Sequence, residues 1–229
     1  MNKVANFIPI KSCKMEMPNG LQWFNNELYV IDQKSDDIFV IDEFGVVKKT
    51  IKTICENGSG ITISDDHIWL ASNGKTGARS FRFTDTHLPW IMKLNLHNGE
   101  LEGRFPIPYG PGVHGLEWDN GLIWLTAFDP NALLLIEPKK FKVVSKFNIE
   151  QSPHGLAIQG EFIWCSDRKA RNIVKYEKSS GKIVETILVP DDGPDPHGLS
   201  IKNNILWYSD AAHPNPIRPY PEIGWIEID

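Results

Sequence analysis

The sequence contains no long apolar segment and little cysteine. No stretch approaches the ~18 consecutive apolar residues that cross a bilayer, and residues 1–7 lack the apolar core of a secretory signal peptide. Cys13, Cys55 and Cys165 form no C-x-x-C pair, and their odd number argues against a disulfide framework. We therefore expect a reduced, soluble, cytoplasmic protein without a membrane partner.

An excess of basic charge and helical periodicity are also missing. The 24 Lys and Arg residues face 29 Asp and Glu residues, a net charge of −5, which excludes a basic surface for nucleic acid. No ten-residue stretch repeats its apolar residues at the helical period, so no long helix is expected. At 229 residues the chain is long enough for a single β domain with a substantial core.

A five-residue pattern recurs five times along the chain. It reads N-G-L-Q-W, S-G-I-T-I, H-G-L-E-W, H-G-L-A-I and H-G-L-S-I, and an apolar triplet centred on an aromatic residue follows each copy. The copies are separated by 40, 55, 40 and 43 residues, which is the period of propeller blades. They begin at Asn19, Ser59, His114, His154 and His197.

The third repeat shows how one blade is built. Residues 115–118, 122–126, 132–136 and 142–149 read as four short strands. Asn120-Gly121 between the first two strands suits a type I′ hairpin turn, because both central positions of that turn need positive φ. Four antiparallel strands in about 40 residues make one blade. The second repeat carries an insertion from Asn73 to about Pro89.

The two ends of the chain complete the ring. The fifth repeat ends after three strands, and residues 4–10 read as its missing outer strand. Pairing the two ends in one blade removes an exposed sheet edge. We predict a single-domain, all-β, five-bladed propeller over residues 1–229. Its blades lie at about 19–54, 59–108, 114–149, 154–189 and 197–229 plus 4–10. The mid-strand tryptophans are expected to pack between blades: Trp69, Trp124, Trp164 and Trp207.

The first residue of each repeat is expected at the mouth of the central tunnel. The first strand of a propeller blade lines that tunnel, and the ends of the second strands open on the same face. His114, His154 and His197 come from three consecutive blades, about 72° apart, so their imidazoles converge from one side of the axis. Such a set binds Zn²⁺, Fe²⁺, Ni²⁺ or Cu²⁺ better than Ca²⁺ or Mg²⁺ and leaves one position open. We predict a divalent metal site there, with zinc or iron first.

A structural role for these histidines is the alternative. A histidine before a strand also serves as a turn residue that hydrogen-bonds the backbone. Asn19 and Ser59 occupy the same position in repeats one and two without loss of the remaining pattern, so the fold does not require histidine there. Asp195, two residues before His197, either accepts a hydrogen bond from that imidazole or stabilises the turn.

Other polar residues on the same face are candidates for substrate binding or proton transfer. Arg168 is positioned either to hold a substrate carboxylate or to pair with Asp167 at the surface. Asn19 and Ser59 border the open side of the histidines. Further substrate-binding candidates are Arg79 and Arg82 in the insertion and Arg218 in a proline-rich loop, and candidates for the catalytic base are Tyr220 and His87.

The units Pro153-His154-Gly-Leu156 and Pro196-His197-Gly-Leu199, with their Trp-x-Ser-Asp sequels, resemble the repeats of virginiamycin B (streptogramin) lyase and NHL-type propellers. That resemblance implies metal-dependent elimination using a histidine of such a unit. The units are also similar to those of peptidyl-hydroxyglycine amidating lyase, which holds zinc with three histidines. Arg168 matches that enzyme's arginine one hairpin later, and residues 208–213 resemble the sequel of its last histidine unit. Both families usually have six or seven blades, whereas five are predicted here.

Three functions remain open from the sequence. The leading one is a metal-dependent lyase acting on a small molecule or a cyclic ester or peptide-like substrate. The metal would act as a Lewis acid, a nearby base would remove a proton, and Arg168 would anchor the substrate. The second is a metal-dependent lactone or ester hydrolase, as in gluconolactonase-type propellers. The third is a non-catalytic binding module, because propellers host unrelated functions.

Overall fold

The computed structural model describes residues 2–10, 14–75, 77–150, 152–213 and 217–228. Twenty strands, β1 to β20, form the regular secondary structure of these ranges. They are arranged in five four-stranded antiparallel blades around a central axis, which confirms the predicted five-bladed propeller. Within the same ranges there is no helix of the length and apolarity required to cross a membrane.

Blades one to three each consist of four consecutive strands, ordered from the tunnel outward. Blade one contains β2 (Pro18–Phe24), β3 (Glu27–Asp32), β4 (Asp37–Ile41) and β5 (Val47–Ile51). Blade two contains β6 (Gly58–Ser64), β7 (His67–Ser72), β8 (Trp90–Asn95) and β9 (Leu101–Pro106). Blade three contains β10 (Leu116–Asp119), β11 (Leu122–Ala127), β12 (Ala132–Glu137) and β13 (Lys142–Asn148).

Blades four and five are joined by the N-terminal strand. Blade four contains β14 (Pro153–Gln159), β15 (Phe162–Asp167), β16 (Asn172–Glu177) and β17 (Ile183–Leu188). Blade five contains β18 (Gly198–Lys202), β19 (Ile205–Asp210), β20 (Glu222–Ile228) and β1 (Asn2–Pro9).

The N-terminal strand closes the ring as predicted and also pairs with a second blade, which the repeats do not predict. From Ala5 to Pro9 it pairs antiparallel with β20, so it is the outer strand of blade five. Its first three residues, 2–4, pair in parallel with β17 of blade four. One strand therefore links both blades into an eight-stranded sheet and covers two edges.

The hairpins on the face opposite the mouth follow the predicted turn chemistry. Asn25 and Asn26 have φ values of 48° and 64°, and Asn120 and Gly121 have values of 48° and 91°. Two successive residues at positive φ define the type I′ turn, whose twist matches that of the flanking strands.

The hydrophobic core is divided among the five seams between neighbouring blades. Trp69 of blade two packs in one cluster with Leu116 and Leu125 of blade three, and it is 4% exposed. Trp124, Trp164 and Trp207 occupy the same place at the next three seams. A tryptophan buries roughly 150–250 Å² of surface, so each of these residues fastens its blade to the next. The predicted inter-blade packing is confirmed.

The glycine of each five-residue pattern closes the ring at the mouth. A Cβ on Gly60 would lie 3.0 Å from the carbonyl oxygen of His114, the first residue of the next blade's pattern. The same contact recurs at every seam: Gly20–Ser59, Gly60–His114, Gly115–His154, Gly155–His197 and Gly198–Asn19. Glycine is needed because only its bare α-carbon allows this close backbone approach.

Candidate functional site at the tunnel mouth

The Ser-Asp dipeptide that ends β15 and β19 positions the chain next to the tunnel. Ser166 Oγ accepts the Gly155 N–H at 2.8 Å and donates to the carbonyl oxygen of His197 at 3.4 Å. Asp167 accepts the Ser152 N–H at 3.3 Å, two residues before His154. In blade five, Asp210 accepts the corresponding N–H of Asp195 at 2.7 Å. The serine and aspartate of this motif therefore have a structural role: their hydrogen bonds fix the backbone that carries His154 and His197.

The three predicted histidines lie together at the mouth. The ring centroids of His114 and His154 are 4.4 Å apart with 40° between their planes. Those of His154 and His197 are 6.0 Å apart and nearly perpendicular, at 89°. His154 and His197 are buried, whereas His114 remains partly exposed. The structure thus assembles this set of candidates from three consecutive blades.

Backbone carbonyls orient two of the three rings. Nδ1 of His154 lies 3.0 Å from the Ser152 carbonyl oxygen, and Nδ1 of His197 lies 2.8 Å from that of Asp195. Because a carbonyl only accepts, Nδ1 carries the proton and Nε2 keeps the lone pair of the neutral ring. His197 is also contacted by the main chain of His213. Nδ1 of His114 is buried and has no partner among the described residues.

All three imidazoles are held in the neutral form. Burial, reinforced by neighbouring charge, lowers the pKa of His154 and of His197 to about 3. Burial and His154 lower the pKa of His114 well below its ordinary value. The positive charge of Arg168 lowers the pKa of all three imidazoles. Neutral imidazoles can accept a proton or bind a metal ion.

Arg168 is bound by Asp195 and not by Asp167. Its Nε donates to Asp195 Oδ2 at 2.8 Å, and Nη2 donates to the same oxygen and to the His213 carbonyl at 3.2 Å. Asp195 orients His197 through its backbone carbonyl, while its carboxylate holds Arg168. Asp195 therefore contacts the His197 imidazole, as one of the two predicted alternatives has it, but through its main chain, and its carboxylate binds an arginine of the neighbouring blade.

The three histidines match a transition metal in their chemistry. Each ring is neutral, two rings present Nε2 with Nδ1 fixed by a carbonyl, and the third has a buried, unpartnered Nδ1. Nevertheless, within the described ranges no group of three or more His, Cys, Asp or Glu side chains is arranged to hold a metal ion. The metal site stays a prediction.

Each mouth residue faces the residue fourteen positions later, at or just after the end of the second strand. Asn19 Nδ2 donates to Gln33 Oε1 at 2.9 Å, and Asn73 Nδ2 donates to Ser59 Oγ at 2.9 Å. The other pairs are His114–Phe128, in edge contact at 5.0 Å, His154–Arg168, through the arginine's charge, and His197–Ala211, whose N–H lies 3.5 Å from Nδ1. Amides thus occupy one half of the mouth and imidazoles the other.

A cleft of about 420 Å³ opens beside His114, in the size range of small-molecule sites. His114 is the one of the three histidines that lines it. The other lining residues are Asn57, Asn73, Lys75, Pro111, Gly112 and Phe128. Phe128 follows the end of a second strand, which the sequence places on this face, whereas no sequence motif singled out Lys75.

The arginines of the insertion are engaged elsewhere. Arg79 is buried, pairs with Asp36 through Nε, and contacts Asp85 through Nη2 at 2.7 Å. Nη2 of Arg82 donates to the carbonyl oxygen of Ser35. The structure therefore does not bring either predicted substrate-binding arginine to the histidines, because acidic and carbonyl groups of blade one hold them.

The remaining candidates also lie apart from the histidines. Arg218 forms a two-oxygen ion pair with Glu222, at 2.8 Å to each oxygen, and lines a separate cleft of about 280 Å³. Tyr220 is 52% exposed and lies near Arg218. The His87 ring stacks on Phe81, with centroids 5.5 Å apart. No contact joins the proposed bases Tyr220 and His87 to the three histidines in the described part of the chain.

Comparison with known proteins relates the chain to other propellers by structure. No protein-family model and no curated protein matches the sequence. The glutaminyl cyclase of Myxococcus xanthus superposes with a TM-score of 0.73 at 11% identity, over 100% of this chain and 97% of the cyclase. Virginiamycin B lyase from Staphylococcus aureus gives 0.55 at 17% identity, over 93% of this chain and 66% of the lyase.

These similarities show the fold. A chain in a structure of the mitotic checkpoint complex also reaches a TM-score of 0.55, at 10% identity, so likeness at this level does not establish activity. The resemblance to virginiamycin B lyase is confirmed as a shared propeller architecture. Two of the structural neighbours, the cyclase and the lyase, are enzymes.

Proposed function

We propose that this chain is a metal-dependent lyase that acts on a small molecule at the tunnel mouth. The observation that supports this function is the meeting of His114, His154 and His197, three neutral imidazoles from consecutive blades. These residues would hold a divalent ion, with zinc or iron first. When bound, such an ion supplies Lewis-acid polarisation of a substrate carbonyl or hydroxyl oxygen.

The protein's own groups have separate tasks in this proposal. The carbonyls of Ser152 and Asp195 fix the tautomers of His154 and His197, so the lone pair of each neutral ring lies on Nε2. Arg168, itself fixed by Asp195, places positive charge next to all three rings and stabilises negative charge that develops there. The cleft beside His114 is where substrate would enter.

A second candidate is a metal-free cyclase. The full-length match to a glutaminyl cyclase favours it, since that match covers 100% of this chain, whereas five blades cover only 66% of the lyase. A neutral His114 could take a proton from the attacking amine and return it to the ammonia that leaves the side-chain amide. We place it second because the described lining of the cleft contains no carboxylate to hold a substrate's amino group.

Metal analysis of protein purified without a histidine tag separates these candidates. The lyase proposal predicts about one equivalent of zinc or iron per chain, lost when His154→Ala and His197→Ala are combined. His97→Ala, which changes an exposed outer-turn histidine, is the matched control and should leave the metal content unchanged. A chain free of metal that cyclises an N-terminal glutaminyl peptide would support the cyclase. Absence of both metal and turnover would favour a binding module.

A further inference from the structure

The structure also points to the chemical class of the ligand. We infer that the cleft beside His114 binds a small molecule carrying a carboxylate and that the Lys75 ammonium group receives it. This inference rests on the proposed function only in taking the tunnel mouth as the substrate site. It does not require the metal or the elimination reaction.

The charges around the cleft favour an anion. Among the described residues that line the cleft, Lys75 is the only charged one, and it is exposed to solvent. It forms no salt bridge within the described ranges. Asn57 and Asn73, which also line the cleft, are uncharged amides. An unpaired ammonium group in a cleft without a carboxylate attracts an anionic ligand.

One acidic side chain that adjoins the lining in the sequence is bound by the insertion. Glu56 precedes Asn57, yet its Oε1 accepts the Thr86 N–H at 2.8 Å and its Oε2 accepts the His87 N–H at 2.7 Å. Glu56 is 1% exposed, and its carboxylate holds the insertion in place through these hydrogen bonds. The cleft therefore keeps the positive charge of Lys75 uncompensated from this side.

Arg168 is not available for the same task. Asp195 binds its guanidinium through two nitrogens, and the carbonyl oxygen of His213 takes a further hydrogen bond. The substrate-anchoring role expected for Arg168 from the sequence thus passes to Lys75, on the other side of His114. Arg168 retains its electrostatic effect on the histidines.

The rest of the lining determines how such a ligand would lie. Phe128 meets the His114 ring edge-on at 5.0 Å and supplies an apolar wall. A ligand with its carboxylate at Lys75 can rest its body on Phe128 and bring its reactive carbon to His114. With about 420 Å³ of space, the site accommodates a molecule of the size of a small aromatic or branched aliphatic acid.

Binding of benzoate and of its uncharged isostere benzamide tests this inference. The experiment follows the His114 ring resonance by NMR at pH 7 in the presence of EDTA, and His114→Asn provides the assignment. We expect benzoate to bind about fivefold more tightly than benzamide, because only benzoate pairs with the ammonium group. Lys75→Gln should abolish that preference, whereas Lys75→Arg should keep it.

Lys140→Gln, at an exposed outer turn, is the matched control and should retain the preference for benzoate. Equal affinity for the two compounds, or a preference that survives in Lys75→Gln, would overturn the inference. Since neither metal nor turnover enters the measurement, its outcome is independent of the lyase proposal. If the preference for benzoate depends on Lys75 and the separate metal analysis finds no metal, the carboxylate site stands and the metal-dependent lyase proposal fails.

Discussion

The α-carbon of Gly155 lies against the carbonyl oxygen of His197, so that a Cβ on Gly155 would come within 2.6 Å of that oxygen. This contact sets the spacing between blades four and five at the mouth. It also explains why His154, the residue before Gly155, stands beside His197. The glycine that makes the repeat recognisable is thus the residue that brings the imidazoles together.

Gly155→Ala should destabilise the fold and widen the mouth at one seam. The methyl group must displace backbone atoms, and overpacking of this kind costs about 1–3 kcal/mol. Gly77→Ala is the control, because a Cβ there meets no described atom within 4 Å. Urea denaturation of both variants measures the difference. Equal stability of the two variants would contradict the close approach seen at the ring.

Glu117→Gln should make the protein more stable at neutral and alkaline pH. Glu117 projects from β10, is 6% exposed, and has an Oε2 with no partner in the described structure. Burial raises the pKa of this carboxyl to about 8, with a smaller contribution from Asp119, against opposing hydrogen bonds from Ile158 and Gln22. The carboxyl therefore stays protonated in the folded state well above pH 4.5, the midpoint of its ionisation in the unfolded chain.

The sign of this effect follows from proton linkage. Between pH 4.5 and 8 the folded protein holds a proton that the unfolded chain has released, so Glu117 lowers stability progressively as the pH rises. The variant should come close to the wild type at pH 4.5 and exceed it at pH 8 by on the order of 4 kcal/mol. Urea titrations across this range provide the test, with Glu227→Gln as an exposed-strand control. A difference that does not change with pH would refute the buried, protonated state of Glu117.

Arg79→Met should loosen the insertion between β7 and β8. The side chains of Arg79 and Asp36 are 5% and 0% exposed, so the change leaves a buried carboxylate with only the more distant Arg82, whose Nη1 lies 3.9 Å from Asp36 Oδ2. Removing one partner of a buried pair costs about 3–5 kcal/mol. Arg82→Met, in the same insertion but with a side chain 35% exposed, should cost less than about 1 kcal/mol. Denaturation and limited proteolysis of residues 73–89 compare the two, and equal losses would contradict the network.

The fold was largely predictable from the sequence because the same five-residue pattern recurs five times, once in each blade. Its first residue locates the tunnel mouth, its glycine locates the seams, and the Asn-Gly pair at 120–121 locates a hairpin. The parallel pairing of residues 2–4 with β17 was not predictable. It depends on where one strand end meets a neighbouring blade, and no repeat carries that information.

The site was predictable only where the repeat constrains it. The three histidines came together because the blade register places equivalent positions at the mouth. The contacts of Arg79 and Arg82 were not predictable, because Asp36 and Ser35 lie in another blade, Asp85 lies within the insertion, and none of the three follows a periodic rule. Lys75 lies in the insertion, where the pattern is interrupted, so no motif pointed to it.

The most direct test of the proposed metal centre is anomalous X-ray diffraction from crystals of untagged protein grown with zinc. The peak should lie among the imidazoles of His114, His154 and His197, and it should vanish in the combined His154→Ala and His197→Ala variant. No peak at that position in zinc-saturated crystals, with His154 and His197 still bound to their backbone carbonyls and His114 still beside them, would contradict the account.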